Sequence, residues 1–266
     1  MTDDTPATPA TPTTPSTGAT GPAADPAARR TTALVTGANK GLGLETARRL
    51  GALGWRIFVG ARDRERGAAA VAGLVAGGAD AHLVELDVTS DASVEAAAAH
   101  LAARTDHLDV LVNNAGIVGT RQADPLDTVP ADFLACYGVN VLGPVRVTHA
   151  LLPLLRRAEL PRIVMVSSGM GSLTVTTDPD RLESGIVGLV YPSSKAALNM
   201  VTTMYAKALP GWKVNAADPG YTATDLNGHT GHKTVEEGAE AIVALATVGP
   251  DGPTGGFYGD TGPVPW

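Results

Sequence analysis

"ALVTGANKGLG", residues 33–43, is a β-branched run that breaks into a glycine-rich turn and opens a helix at Leu42. Gly37, Gly41 and Gly43 permit a tight turn and close backbone approach. The helix that follows presents unpaired N–H groups and the positive end of its dipole to whatever sits on the turn. A glycine turn alone is often only structural. With a strand before it and a helix after it, the turn suits the pyrophosphate of a dinucleotide, in a TGxxxGxG spacing rather than GxGxxG.

Outward from this unit, short β-branched runs alternate with longer Ala- and Leu-rich stretches. Strands are expected at 33–36, 56–60, 82–86, 110–112, 162–166, 213–216 and near 256–258, with helices between them. Right-handed crossovers join such units into an α/β, Rossmann-type doubly wound sheet of about seven parallel strands, with helices on both faces and a ligand crevice at the strands' carboxyl ends. Residues 29–266 show no second shift of composition and no internal repeat, so one domain is expected there. Residues 1–28 are almost all Thr, Pro and Ala, with Asp3, Asp4 and Asp25 as their only charges. Such a segment buries too little to offset its ordering entropy, and a disordered tail is expected. It has neither the basic start nor the apolar stretch of a signal peptide.

The chain has 266 residues, 44% apolar and 18% charged, which excludes disorder of the whole. Twenty basic against 27 acidic side chains give a net charge of -7, a poor match for nucleic acid. The single cysteine, Cys136, excludes an internal disulfide. No uncharged run reaches the roughly 18 apolar residues of a membrane span. The expectation is a soluble, cytoplasmic protein with no membrane partner.

The remaining chemistry falls at strand ends. The second strand ends in Ala61-Arg62, where many dinucleotide folds carry an acid for the ribose 2′-hydroxyl. Arg62 and Lys40 can converge there on a 2′-phosphate, which favours NADP(H). As alternatives, both are solvated charges, and Asp63 next door serves NAD. Asp87 and Val88 follow the third strand, where Asp87 either reaches an adenine edge or caps the next helix. "VNNAG" ends the fourth strand with Asn114, Ala115 and Gly116, small and amide groups that suit a backbone passing close to a cofactor. Ser168 ends the fifth, where a hydroxyl can meet a substrate oxygen as charge develops on it. "YPSSK" sets Tyr191 and Lys195 four apart on one helix face. An ammonium beside a phenol is expected to lower its pKa from about 10, making Tyr191 a general acid for reduction and a base for oxidation. Pro219 and Gly220 turn the chain after the sixth strand, leaving Thr222 and Thr224 for the nicotinamide carboxamide, or simply for a turn and a cap. His229 and His232 lie in a polar, Gly-rich loop without a carboxylate or thiol cluster, so a solvated lid is expected and no metal.

Taken in order, Thr36, Gly37, Asn39, Lys40, Gly41, Leu42 and Gly43, then Asp87, Asn113 to Gly116, Ser168, Tyr191 with Lys195, and Pro219-Gly220 through Thr224 resemble the motif series of the short-chain dehydrogenase/reductase superfamily. The resemblance covers residues 31–266 and is to the single-domain branch; the glycine turn and "GARDRERG" are similar to its carbonyl-reductase group. It implies an NADP(H)-dependent enzyme acting on a small carbonyl or alcohol. It also implies that Ser168 rather than Ser167 is catalytic, and that Asn140 holds a water relaying protons toward Lys195. Members commonly pair through the tyrosine helix and its neighbour, but 22 residues separate Ser168 from Tyr191 here, more than in shorter members. This insertion is expected to border the substrate mouth, and it leaves a homo-oligomer open. Two other readings are a dinucleotide-binding sensor without turnover, which would not need the serine, tyrosine and lysine, and a sugar-nucleotide epimerase or dehydratase, which generally has a TGxxGxxG turn and a larger C-terminal part.

Overall fold

Strand β1 (Thr32–Thr36) is buried along its whole length because helices cover both sides of it: Ala33 and Val35 enter one apolar cluster and Leu34 the other. The same alternation runs through β2 (Arg56–Ala61), where Ile57 and Val59 oppose Phe58. In β4 (Val110–Asn113), Val110 and Val112 oppose Leu111; in β5 (Arg162–Val166), Val164 and Val166 oppose Ile163 and Met165. Continuous apolar runs are what a parallel sheet buried on both faces requires. The computed structural model describes Met1, 29–119 and 124–266. The tail expected over residues 1–28 lies, Met1 apart, outside the described residues.

The first cluster is covered by α1 (Gly41–Ala52), α2 (Arg64–Ala76) and α8 (Glu240–Ala246) through Ala47, Leu50, Leu74, Ile242 and Leu245. The second is covered by α3 (Asp91–Ala102), α5 (Gly143–Leu155) and α7 (Val190–Ala208) through Val94, Leu101, Leu151, Leu155 and Leu198. With β3 (Asp80–Glu85), β6 (Lys213–Ala217), β7 (Phe257–Gly259) and β8 (Gly262–Pro263), the sheet runs β3-β2-β1-β4-β5-β6-β7-β8. The order reverses between β1 and β4, and the crevice at that switch point is where such sheets hold ligands.

The sheet has eight strands, not seven, and the last pairs antiparallel to β7 through Tyr258↔Pro263 and Gly259↔Gly262. A two-residue Gly-Pro strand has no apolar period by which to be read. β3 begins two residues before its expected start, because Asp80 pairs in register with Arg56 and its carboxylate also binds Arg30 and Arg56. A helical run over Pro130–Leu155 comprises α4 (Pro130–Tyr137), a π-helical turn (Gly138–Leu142) and α5. With a mean hydropathy of 1.2 it is long and apolar enough to cross a membrane, unlike any run expected from the sequence. Half of its most apolar 18-residue stretch is buried, as in a core helix.

Candidate functional site

The switch-point crevice is built by bonding the β1 turn to the β4 turn. Thr36 Oγ1 accepts from the backbone N–H groups of Asn114 and Ala115, both at 2.9 Å, and Asn114 Nδ2 donates to the Thr36 carbonyl at 2.8 Å. Gly37 and Gly41 have φ of 63° and 54°. The α-carbon of Gly43 faces this joint: a Cβ there would stand 2.4 Å from Asn114 Nδ2 and 2.7 Å from the Gly37 carbonyl oxygen. Lys40, at the N-cap of α1, makes no side-chain capping bond. The first-turn N–H groups of α1 therefore keep their capacity for an anion. Asn39 is partly exposed on the turn, whereas Leu42 packs inward on the first core cluster. These features fit a dinucleotide pyrophosphate: a cradle that a side chain would fill, at an uncapped helix start.

Gly43→Ala is accordingly expected to force the two turns apart, at a cost of about 1–3 kcal/mol in stability. The thermal shift induced by NADPH should be lost with it, although the rest of the sheet still melts cooperatively. A variant with an unchanged NADPH-induced shift would show that this turn does not hold the cofactor.

At the end of β2, Arg62 is exposed, and Asp63 is committed to capping α2, accepting from Arg66 N at 3.0 Å. Its other oxygen lies 3.1 Å from Arg66 Nε, so both oxygens of Asp63 are engaged in the first turn of α2. Lys40 pairs with Asp225, its Nζ 2.5 Å from Asp225 Oδ2. Asp87 accepts from both the N–H and the hydroxyl of Thr89, which with Arg62 nearby holds its carboxyl below the usual range. The cap of α3 is Ser90, so the capping reading of Asp87 is corrected. Val88 is buried against Gly143, and its carbonyl accepts from Arg146.

Tyr191 and Lys195 share a face of α7, as their spacing predicts, with Lys195 Nζ 5.6 Å from the centre of the tyrosine ring. Pro192 fits the helix's first turn, where no intrahelical N–H is needed. Lys195 is buried and donates to the Val166 carbonyl at 2.7 Å, which fixes it under the end of β5. Ser168, the second residue beyond that strand, is partly exposed beside Tyr191, while Ser167 is buried and donates to Asn199 Oδ1 at 2.6 Å. Of the two, Ser168 is the one that reaches the surface, its Oγ accepting from Met170 N at 3.2 Å.

The expected lowering of the tyrosine pKa is reversed. Burial pushes the Tyr191 phenol up to about 12, opposed by a hydrogen bond with Ser168, and burial pulls Lys195 down to about 8. Sequence spacing places an ammonium near the phenol, but desolvation penalises the charged form of each group and outweighs their proximity. The buried carboxyl of Asp218 acts on both through space.

Asp218 is one of three groups here that the sequence reading missed. Its Oδ1 accepts from Gly220 N at 3.0 Å and its carboxylate also takes the Gly169 N–H, so it joins the turn after β5 to the turn after β6. Burial raises its own pKa. An acid before Pro-Gly reads equally as a turn former, and no pattern marks it. The others are Cys136 and Ser194, which pack on Asn140. Asn140 Oδ1 accepts from Ile117 N at 2.9 Å, and Nδ2 donates to the Ile117 carbonyl at 2.9 Å and to Ser194 Oγ at 3.0 Å. Its side chain thus pins the chain beyond Gly116. Its residue lies in the π-helical turn, where the regular i→i+4 ladder is interrupted.

The loop 220–234 covers the glycine turn from the other side. Thr222 is buried and donates to the Pro219 carbonyl at 3.0 Å, and Thr224 Cγ2 would lie 3.7 Å from a Cβ on Gly41. His229 binds Asp225 at 2.7 Å and His232 packs near the Tyr221 ring. The insertion folds as α6 (Leu173–Thr177) and two single 3₁₀ turns, with Leu173, Leu182, Ile186 and Val187 exposed. Glu183 returns to the site, its Oε1 2.8 Å from where a Cβ of Gly169 would be. The insertion thus exposes apolar side chains alongside Asp178, Asp180 and Arg181, with Glu183 turned toward Gly169.

The sequence profile described as short chain dehydrogenase matches residues 31–234. Among curated proteins, the (-)-isopiperitenone reductase of Mentha piperita is 34% identical over 85% of this chain and 95% of its own. An NADPH-bound carbonyl reductase from chicken fatty liver superposes with a TM-score of 0.79 at 30% identity, covering 90% of this chain and all of that one. Salutaridine reductase from Papaver somniferum does so with a TM-score of 0.76 at 30% identity, over 87% of this chain and all of that one.

Proposed function

Since the chain belongs to the short-chain dehydrogenase/reductase family, on its carbonyl-reductase-like branch, we propose that it is an NADP(H)-dependent oxidoreductase reducing an apolar aldehyde, ketone or quinone-like carbonyl to the alcohol. The observation that carries this reading is the meeting of Ser168, Tyr191 and Lys195 at the carboxyl end of β5, which only β4 separates from the strand that ends in the glycine turn. Thr36, Gly37, Asn39, Gly41, Leu42 and Gly43 with the α1 N-terminus hold the pyrophosphate. Lys40 and Arg62 take the 2′-phosphate, and Asp87 and Val88 border the adenine. Asn114, Ala115 and Gly116 floor the crevice, and Pro219, Gly220, Thr222 and Thr224 meet the carboxamide. Bound NADPH supplies the hydride.

Ser168 donates a hydrogen bond to the substrate oxygen as negative charge builds on it. Tyr191, protonated across the neutral range, gives its proton to that oxygen. Lys195, charged below about pH 8, favours the phenolate left behind and is placed to reach the nicotinamide ribose. Asn140 positions the floor through Ile117 and, as the family resemblance implies, holds a water that relays protons toward Lys195. Alcohol oxidation uses the same groups in reverse. The exposed Leu173, Leu182, Ile186 and Val187 of the insertion support an apolar substrate, in keeping with relatives named for isopiperitenone and salutaridine.

The test is a panel of aldehydes, cyclic ketones, enones and quinones, followed by loss of NADPH absorbance and repeated with NADH. Steady turnover with NADPH and weaker turnover with NADH are expected. No turnover of any member would favour the sensor reading. In Arg62→Asp, the loss of one charge-assisted hydrogen bond, about 1.5–3 kcal/mol, should weaken NADPH by about tenfold or more and leave NADH nearly unchanged. An unchanged ratio would remove Arg62 from the phosphate site.

A further inference from the structure

Lys40 ties the glycine turn to a distant loop. It sits on the glycine turn at the N-cap of α1, on the side read above as the 2′-phosphate site, yet its ammonium is held by Asp225, 185 residues further along the chain. Asp225 belongs to the loop 220–234, which also carries Thr222 and Thr224. That loop is internally braced. Asn227 Nδ2 donates to the Thr222 carbonyl at 2.8 Å, Thr224 N donates to Asn227 Oδ1 at 3.2 Å, and His229 N donates to the Thr224 carbonyl at 2.9 Å. His229 takes a φ of 62°, the one positive value for a non-glycine among the described residues, and its ring binds the second oxygen of Asp225 at 2.7 Å. At its far end the loop pairs Thr222 with Lys233, whose ammonium lies 2.7 Å from Asp260. The one ion pair from this braced loop to the glycine turn, among the described residues, is Lys40–Asp225.

A phosphate and a carboxylate cannot both sit closely on one exposed ammonium without repelling each other. We propose that Asp225 is a specificity-determining residue that competes with the cofactor's 2′-phosphate for Lys40, setting the preference for NADPH over NADH below what Lys40 and Arg62 alone would give. In the same step the phosphate releases Asp225, so the loop bearing Thr222 and Thr224 is latched to the glycine turn with an unphosphorylated cofactor and unlatched with a phosphorylated one. The proposal rests on Lys40 being a 2′-phosphate ligand.

Titration of NADPH and NADH into the full chain, read by tryptophan fluorescence, tests it in a cycle of wild type, Asp225→Asn, Lys40→Met and the double variant. Asp225 is half exposed and Asn keeps its shape, so folding should be intact by circular dichroism. Asp225→Asn is expected to tighten NADPH about two- to fivefold, the range of an exposed ion pair, and to leave NADH within experimental error. Lys40→Met should weaken NADPH selectively, and in that background Asp225→Asn should lose most of its effect. The pair 2′,5′-ADP and 5′-ADP should repeat the pattern, since they differ only in the phosphate. If Lys40→Met lowers the NADPH preference and Asp225→Asn leaves it unchanged, the competition is overturned while the phosphate site stands. Should Lys40→Met itself leave the preference unchanged, the underlying reading of Lys40 is wrong and the proposal goes with it.

Discussion

Tyr191→Phe is expected to reduce carbonyl turnover by about 10²–10⁴ while leaving NADPH affinity close to that of wild type. The substitution removes one hydroxyl and keeps the ring, which lies over the start of α7 near Lys195. Hydride transfer leaves negative charge on the substrate oxygen. Without the phenol, that oxygen has Ser168 as a hydrogen-bond donor but no acid positioned to protonate it. Because burial holds the Tyr191 phenol up at about 12, the wild-type acid is fully protonated through the neutral range, and reduction does not lose its proton donor there. Alcohol oxidation needs the phenolate instead, so its rate should climb with pH in the neutral range. The measurement is kcat for both directions from pH 6 to 10, with NADPH affinity taken separately. If Tyr191→Phe keeps more than about a tenth of wild-type turnover, too small a loss for general-acid catalysis, another group donates the proton.

The parts of this site that could be read in advance are those fixed by local geometry. A strand, a glycine turn and a helix in immediate succession leave few ways to fold, and Tyr191 with Lys195 share a helix face by spacing alone. Arg62 follows the second strand whatever the details of the sheet. The unread parts depend on distance in sequence or on burial. Asp225 meets Lys40 across 185 residues, and Asp218 joins two turns that only the assembled sheet brings together. Asn140 was visible as a residue, but its side-chain partners, Ile117 and Ser194, come from a loop and from another helix. The direction of the tyrosine shift was missed for a related reason: sequence gives the neighbouring charge, and only the fold gives the lost solvent. β8 escaped because Gly262 and Pro263 follow no apolar pattern, and it is positioned by pairing to β7.

Reduction should decline as pH rises through about 8, because Lys195 loses its proton there. Its ordinary value lies near 10.5, and burial lowers it to about 8, so the ammonium is present below that pH and absent above it. kcat/KM for NADPH reports the free enzyme and should fall about tenfold per unit above the break, as for a single required proton. In Lys195→Met the break should vanish and turnover should be down by about 10²-fold or more, with weaker NADPH binding. Unfolding would not mimic this, since the stability effect has the opposite sign. Between about pH 8 and 10 the unfolded chain still protonates this lysine and the folded chain does not, so the contribution of Lys195 to stability grows as pH rises. Wild type should therefore gain in Tm relative to Lys195→Met over the same interval in which its reductase activity declines. A wild-type kcat/KM that stays flat to pH 10, or a break that survives in Lys195→Met, would assign the titration to another group.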